Sequence, residues 1–175
     1  MKTLVSTALL LIALSLSAMA QTSNGSRGQG YLFFAPGVAI HNRRLPPPAP
    51  GQTTRATVHI GGGGEGFVYK GLGVGAELGA VGPWSGFEDE AFGVGSVNLS
   101  YHFPPSGKER KLEPFVSLGY TLFFRAGVTH GGHAGFGLNR WLNKYVALRF
   151  EVRDNVEFVG TKGHLLGFRI GVTLR

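Results

Sequence analysis

Six ionisable residues share a spacing that could do chemistry. Glu65, Glu77, Arg149, Glu151, Arg153 and Arg169 lie in stretches where apolar and other residues alternate, and all six fall on the face that also carries glycines. In a tight interior such a set satisfies itself as a network of salt bridges and hydrogen bonds. A second chemistry for acidic residues is glycoside hydrolysis by paired carboxylates, which would need an open path for substrate. Ser100 and His102 are two apart, so on a strand their side chains are neighbours. They read as a hydrogen-bonded polar pair rather than as a nucleophile with its base. His130 and His133 are three apart, which on a strand turns them to opposite faces. No cysteine is present and no acidic residue is spaced to complete a ligand set, so no metal site is expected.

Two further motifs reduce to ordinary features. Gly61-Gly-Gly-Gly-Glu-Gly66 satisfies G-x-G-x-x-G, but Phe67-Val68-Tyr69 and another strand follow it where a dinucleotide site requires a helix. No G-x-x-x-x-G-K-[ST] phosphate loop exists. Glu88-Asp89-Glu90 reads as a solvated acidic loop. No catalytic residue and no cofactor site is expected.

The elements that must position these side chains are strands. From Val146 to Val152 apolar residues alternate with Ala147, Arg149, Glu151 and Arg153. From Leu166 to Leu174 they alternate with Gly167, Arg169, Gly171, Thr173 and Arg175. Strict period two marks strands whose faces meet different surroundings. Glycines on a wetted outer face of a sandwich would cost entropy to no purpose. Mixed with charges inside a narrow barrel they make room for large neighbours, and the apolar face then points outward into lipid.

Further segments at about 30–40, 55–69, 71–81, 91–103, 113–124 and 128–138 bring the count to eight. The expected architecture is all-β: an eight-stranded antiparallel up-and-down transmembrane β-barrel with both chain ends on the periplasmic side. Residues 69–71, 104–112 and 139–144 are expected as periplasmic connections, and 42–55, 82–90, 125–132 and 154–163 as outer ones. Pro36 is expected to sit at a bulge. Leu45 to Pro50 favours an extended polyproline segment. Aromatic girdles are expected from Tyr31, Phe33, Tyr69, Tyr101, Phe103, Trp141 and Tyr145 at one rim, and from Trp84, Phe87, Phe92, Phe124 and Phe158 at the other.

Composition agrees with this reading. The chain has 175 residues, 29 of them glycine, 17 basic and 10 acidic, with a formal charge of +7. Lys2, the apolar run Leu4 to Leu16 and Ala18-Met19-Ala20 form a secretory signal peptide, residues 1–20, with cleavage before Gln21. Residues 21–29 are a flexible leader and 30–175 the barrel domain. Loss of Lys2 leaves 16 basic against 10 acidic residues, scattered rather than clustered, so no nucleic-acid partner is expected. No apolar run of helix-spanning length follows the signal, which strands do not require.

Gly135-Phe-Gly-Leu-Asn-Arg-Trp through Leu148-Arg-Phe-Glu-Val-Arg-Asp154, with Tyr31-Leu-Phe-Phe and Tyr69-Lys-Gly-Leu-Gly-Val, resembles the small outer-membrane β-barrel domain family. These are eight-stranded barrels similar to outer membrane proteins A and X. The resemblance implies a Gram-negative outer-membrane location among outer-membrane lipid, and insertion by the barrel-assembly machinery. Family members usually end in an aromatic residue that serves as an assembly signal. Here alternation stops at Leu174-Arg175, and Phe168, Ile170 and Leu174 would carry the signal. A few such barrels modify lipid A through a lipid-facing histidine that precedes serine by two, a spacing absent here. The expected role is structural or surface-interactive, in a monomer whose lumen is filled by side chains. Alternatives are a narrow pore or transport barrel, a lipid-modifying enzyme, or a soluble periplasmic ligand-binding barrel.

Overall fold

The computed structural model describes residues 28–42, 44–45, 49–104, 111–125, 127–158 and 163–175. The expected signal peptide, residues 21–27 of the leader, Pro46 to Pro48 and residues 105–110 lie outside that set. Eight strands, β1 (Gly28–Ile40), β2 (Thr54–Tyr69), β3 (Leu72–Pro83), β4 (Phe92–His102), β5 (Leu112–Phe124), β6 (Val128–Trp141), β7 (Val146–Glu157) and β8 (His164–Leu174), pair in chain order, and β8 closes on β1. Every neighbouring pair is antiparallel. Closure leaves no unpaired edge to template aggregation.

The register defines the barrel's shape. From Gly30 the pairing passes through Gly64, Ala76, Val97, Tyr120, Gly132, Val156 and His164 and returns to β1 at Ile40, ten residues further along. Eight strands with a stagger of ten tilt by about 40° to the barrel axis. Each residue then advances about 2.5 Å along that axis.

The alternation sorts side chains to two sides as the sequence implies. On β4, Phe92, Val94, Ser96, Asn98, Ser100 and His102 are buried inside, whereas Val97, Leu99 and Tyr101 face out. The contrast is large: outward Leu118 is 57% exposed and inward Arg153 is 1% exposed. An exterior of exposed Leu, Val, Ile and Phe around the full circumference far exceeds the apolar patches of a soluble monomer. Among the described residues no helix is long and apolar enough to cross a membrane, a test that does not apply to strands.

At the turns, Lys70 and Gly71 both take positive φ (30° and 88°), the requirement of a tight hairpin between right-twisted strands. A Cβ on Gly71 would also lie 2.3 Å from the His102 carbonyl oxygen. Asn143 Oδ1 accepts the backbone N–H groups of Tyr145 and Val146 at 2.8 and 2.9 Å and closes the β6–β7 turn. At the outer end, a short helix, α1 (Phe87–Glu90), is tied to β2 by a two-pronged Arg55–Glu90 pair at 2.6 and 2.7 Å. Hydrogen bonds from Arg55 hold the Glu90 carboxyl below the usual carboxylate range.

Several expectations are corrected. β1 begins at Gly28, so Gln29 belongs to the strand and not to a leader. Pro36 needs no bulge: the β1–β8 register is the same on either side of it, and only the pairing at Ala35 and Pro36 is interrupted. β6 starts at Val128 as its segment predicts, so the outer connection expected at 125–132 is shorter, and β7 runs on to Glu157, which shortens the one expected at 154–163. Tyr31, Phe33, Phe92 and Trp141 are buried and do not join the aromatic girdles. Their parity decides this, since each alternates with an outward neighbour such as Leu32 or Phe34. Tyr69, Tyr101, Phe103 and Tyr145 remain exposed at one rim, and Trp84, Phe124 and Phe158 at the other.

Candidate functional site

The lumen is where charged groups converge. β7 contributes Arg149, Glu151 and Arg153, β2 Glu65, β3 Glu77 and β8 Arg169, and all six are at least 94% buried. Glu77 and Arg169 meet fork to fork, with Nη1 donating to Oε2 at 2.7 Å and Nη2 to Oε1 at 2.9 Å. Arg153 reaches Glu77 Oε2 at 3.3 Å and donates from Nε to Glu151 Oε1 at 2.7 Å. Arg149 lies 3.4 Å from Glu151 Oε2 and 3.6 Å from Glu65 Oε1. Three guanidiniums and three carboxylates thus form one connected set, with alternating signs along β7.

Aromatic rings cover what the carboxylates leave. The Arg149 guanidinium lies 4.4 Å from the Tyr31 ring centre and 3.9 Å from that of Phe115, and Arg169 lies 4.0 Å from that of Phe33. The Tyr31 hydroxyl donates to Glu77 Oε2 at 3.2 Å and accepts from Asn98 Nδ2 at 3.1 Å. Glycines supply the remaining space. A Cβ on Gly73 would stand 2.5 Å from Ser100 Oγ and 2.9 Å from Glu65 Oε2, and one on Gly135 would stand 2.8 Å from Glu151 Oε1. These positions admit no side chain while the network is in place.

Toward the end that holds the chain terminus, the set extends through the Ser100 and His102 pair and through Gln29, Glu113 and Arg175, which were not among the candidates. Glu65 accepts Gln29 Nε2 at 2.7 Å and the Ser100 hydroxyl, and lies 3.2 Å from His102 Nε2. His102 Nδ1 is 2.9 Å from Glu113, which also accepts Trp141 Nε1 at 3.1 Å and Arg175 Nη2 at 2.9 Å. Ser100 and His102 therefore converge on Glu65 and not on each other. Parity with Ser117 would have placed Glu113 inside. Arg175 shares the parity of Arg169 and Thr173, and its guanidinium stacks at 3.9 Å on the Trp141 ring.

Toward the outer end the filling becomes apolar. Ala39, Val81, Phe92, Val94, Phe123 and Leu165 pack with Leu45, a loop residue that enters the mouth. Asn42 Oδ1 accepts the N–H groups of Arg44 and Leu45 at 2.9 and 3.2 Å and folds the loop inward. Arg44 then reaches across to Glu157 at 3.3 Å. Between this layer and the charges, a cavity of about 20 Å³ is lined by His59, Asn155, Arg153 and Arg169. That is room for about one water molecule.

The remaining candidates separate. His133 points inward, with Nδ1 2.8 Å from Thr121 Oγ1, while His130 points outward to the Tyr120 hydroxyl. Gly61 to Gly66 lie within β2 with no helix after them. Among the described residues no group of three or more His, Asp or Glu side chains could hold a metal ion.

No protein-family model matches the chain, and no curated protein matches it either. Solved structures do. Neisserial surface protein A (NspA) superposes with a TM-score of 0.66 at 11% identity, over 86% of this chain and 99% of that one. The N-terminal β-barrel domain of Pseudomonas aeruginosa OprF gives 0.54 at 14% identity, over 86% of this chain and 100% of that one. Ail, the attachment invasion locus protein of Yersinia pestis, gives 0.51 at 11%, over 84% and 95%. At these identities the likeness establishes the fold: the chain is built as the small eight-stranded outer-membrane barrels are.

Proposed function

We propose that the protein is a monomeric integral protein of the Gram-negative outer membrane, with a structural or surface-interaction role and no enzymatic site. One observation carries the reading: large apolar side chains cover the exterior, while Arg149, Arg153, Arg169 and their carboxylates occupy the axis. Water as the outer solvent would favour the reverse arrangement, and hydrocarbon favours this one. The fold shared with outer-membrane barrels supports the same location. On this reading outer-membrane lipid is the permanent partner, and the barrel-assembly machinery acts during insertion.

The six-residue set then serves as the lock of the lumen. Paired charges hold β2, β3, β7 and β8 together across the bore and fill it. The water-sized cavity weighs against a pore or transport role. Burial of Ser100 and His102 against Glu65 weighs against a lipid-modifying pair. The exterior weighs against a soluble ligand-binding barrel.

Planar-bilayer recording tests the lock. The unaltered protein is expected to give no large, stable conductance, and Arg149→Ala or Glu65→Ala to raise it by removing volume from the bore. Large stable currents from the unaltered protein would overturn the reading.

A further inference from the structure

One arginine stands apart from the charge pairing of this barrel. Arg44, Arg55, Arg149, Arg153, Arg169 and Arg175 each meet a carboxylate, and Arg125 donates to the Asp89 carbonyl. Among the described residues Arg140 meets no acidic group. It is exposed on β6 between Asn139 and Trp141, which are buried in the lumen, so it faces outward. Its cross-strand neighbours on that face are Leu112 of β5 and Leu148 of β7. It is the last residue but one of its strand, at the end that holds the chain terminus and exposed Tyr69, Tyr101, Phe103 and Tyr145. In a membrane such a ring of aromatics marks the headgroup boundary. A guanidinium placed there between leucines takes its counter-anion from outside the chain.

Lys144 supplies a second cation. It is exposed in the β6–β7 turn that Asn143 closes, and among the described residues it has no carboxylate partner either. Its Nζ lies 4.8 Å from the Tyr145 ring centre, which holds the ammonium at the level of the aromatic ring. Lys111, whose carbonyl accepts the Trp141 N–H at 2.8 Å, adds positive charge at the start of β5. Glu113, two residues further on, turns inward and is taken by His102, Trp141 and Arg175. The outer end differs: there Glu88, Asp89, Glu90 and Glu157 stand among Arg44, Arg55 and Arg125.

A guanidinium fork grips two oxygens of one phosphate, and an ammonium adds a point charge. Leu112 and Leu148 continue the site as an apolar wall on which acyl chains lie. We propose that Arg140 and Lys144 bind the phosphate of a net-anionic glycerophospholipid in the periplasmic leaflet. The proposal rests on the membrane-spanning reading. A zwitterionic lipid carries its own ammonium beside the phosphate and gains less from these cations.

The test is native mass spectrometry of the detergent-solubilised, folded barrel with phosphatidylglycerol and phosphatidylcholine of identical chains. Phosphatidylglycerol is expected to be retained about tenfold over phosphatidylcholine. Arg140→Gln and, separately, Lys144→Gln are each expected to reduce that preference severalfold while heat-modifiable gel migration is kept. Arg125→Gln, at the outer end, is expected to leave it unchanged. Either rim variant serves if the other does not fold. An excess of glycerol 3-phosphate, which has the phosphate without the chains, is expected to leave the lipid bound. Displacement by it would assign the site to soluble phosphates and overturn the lipid. Equal retention of the two lipids, or an unchanged preference in a folded rim variant, would overturn the site alone. Retention of no lipid at all would overturn the membrane reading with it.

Discussion

Glu77→Ala is expected to lower the stability of the folded barrel by about 3–5 kcal/mol, the cost of leaving buried charge without its partner. Glu77 receives both prongs of Arg169 and one from Arg153. Arg153 keeps Glu151, but the nearest remaining carboxylate oxygen to Arg169 is Glu151 Oε2 at 3.9 Å. Arg169 is 2% exposed and cannot turn to solvent without opening the wall. Urea unfolding in lipid vesicles, followed by the fluorescence of Trp84 and Trp141, reads the loss. Removing both partners, Glu77→Ala with Arg169→Ala, should recover much of it, because no unpaired charge remains. A single substitution that costs under about 1 kcal/mol, the range of an exposed ion pair, would show that water reaches the network.

Leu118→Arg is the second large effect, and its cause lies outside the barrel. Leu118 faces outward on β5, near the middle of the band between Leu112 and Phe124. If hydrocarbon surrounds it, arginine at that depth costs about 2–4 kcal/mol of folding free energy. If water surrounds it, the same change stays within about 0.5 kcal/mol. The two settings differ by enough for one unfolding curve in phosphatidylcholine vesicles to separate them.

Much of the architecture was legible because period two is a local property. Val146 to Val152 and Leu166 to Leu174 declare their faces whatever their neighbours do. Parity then fixes which charges share the lumen. Legibility failed where a face stops being uniform. Asp154 puts an ionisable residue on the outward side of β7, so the strand looked finished at Arg153, four residues before it ends at Glu157. The aromatic rims failed for a different reason. Closeness to a strand end suggested a girdle for Tyr31, Phe33, Phe92 and Trp141, whereas alternation alone sends them inward to cover guanidiniums and fill space.

The charge set itself was only half visible. Spacing within β7 identifies Arg149, Glu151 and Arg153, but it cannot say that Glu77 lies opposite them. That follows from a register propagated through five strands. Leu45 and Arg44 reach the lumen from a loop, where no periodicity exists to point inward. Arg175 acts through its reach to Glu113 and Trp141, which is a property of the closed barrel.

Which solvent meets which face is measured most directly by nuclear Overhauser contacts between lipid acyl chains and labelled methyl groups in nanodiscs. Val97, Leu99, Val116, Leu118 and Val172 should show contacts with the chains, and Val81, Val94 and Leu165 none. Chain contacts at Val81 and Val94, or their absence at all eight positions while a water-soluble paramagnetic agent broadens Leu118, would contradict the account.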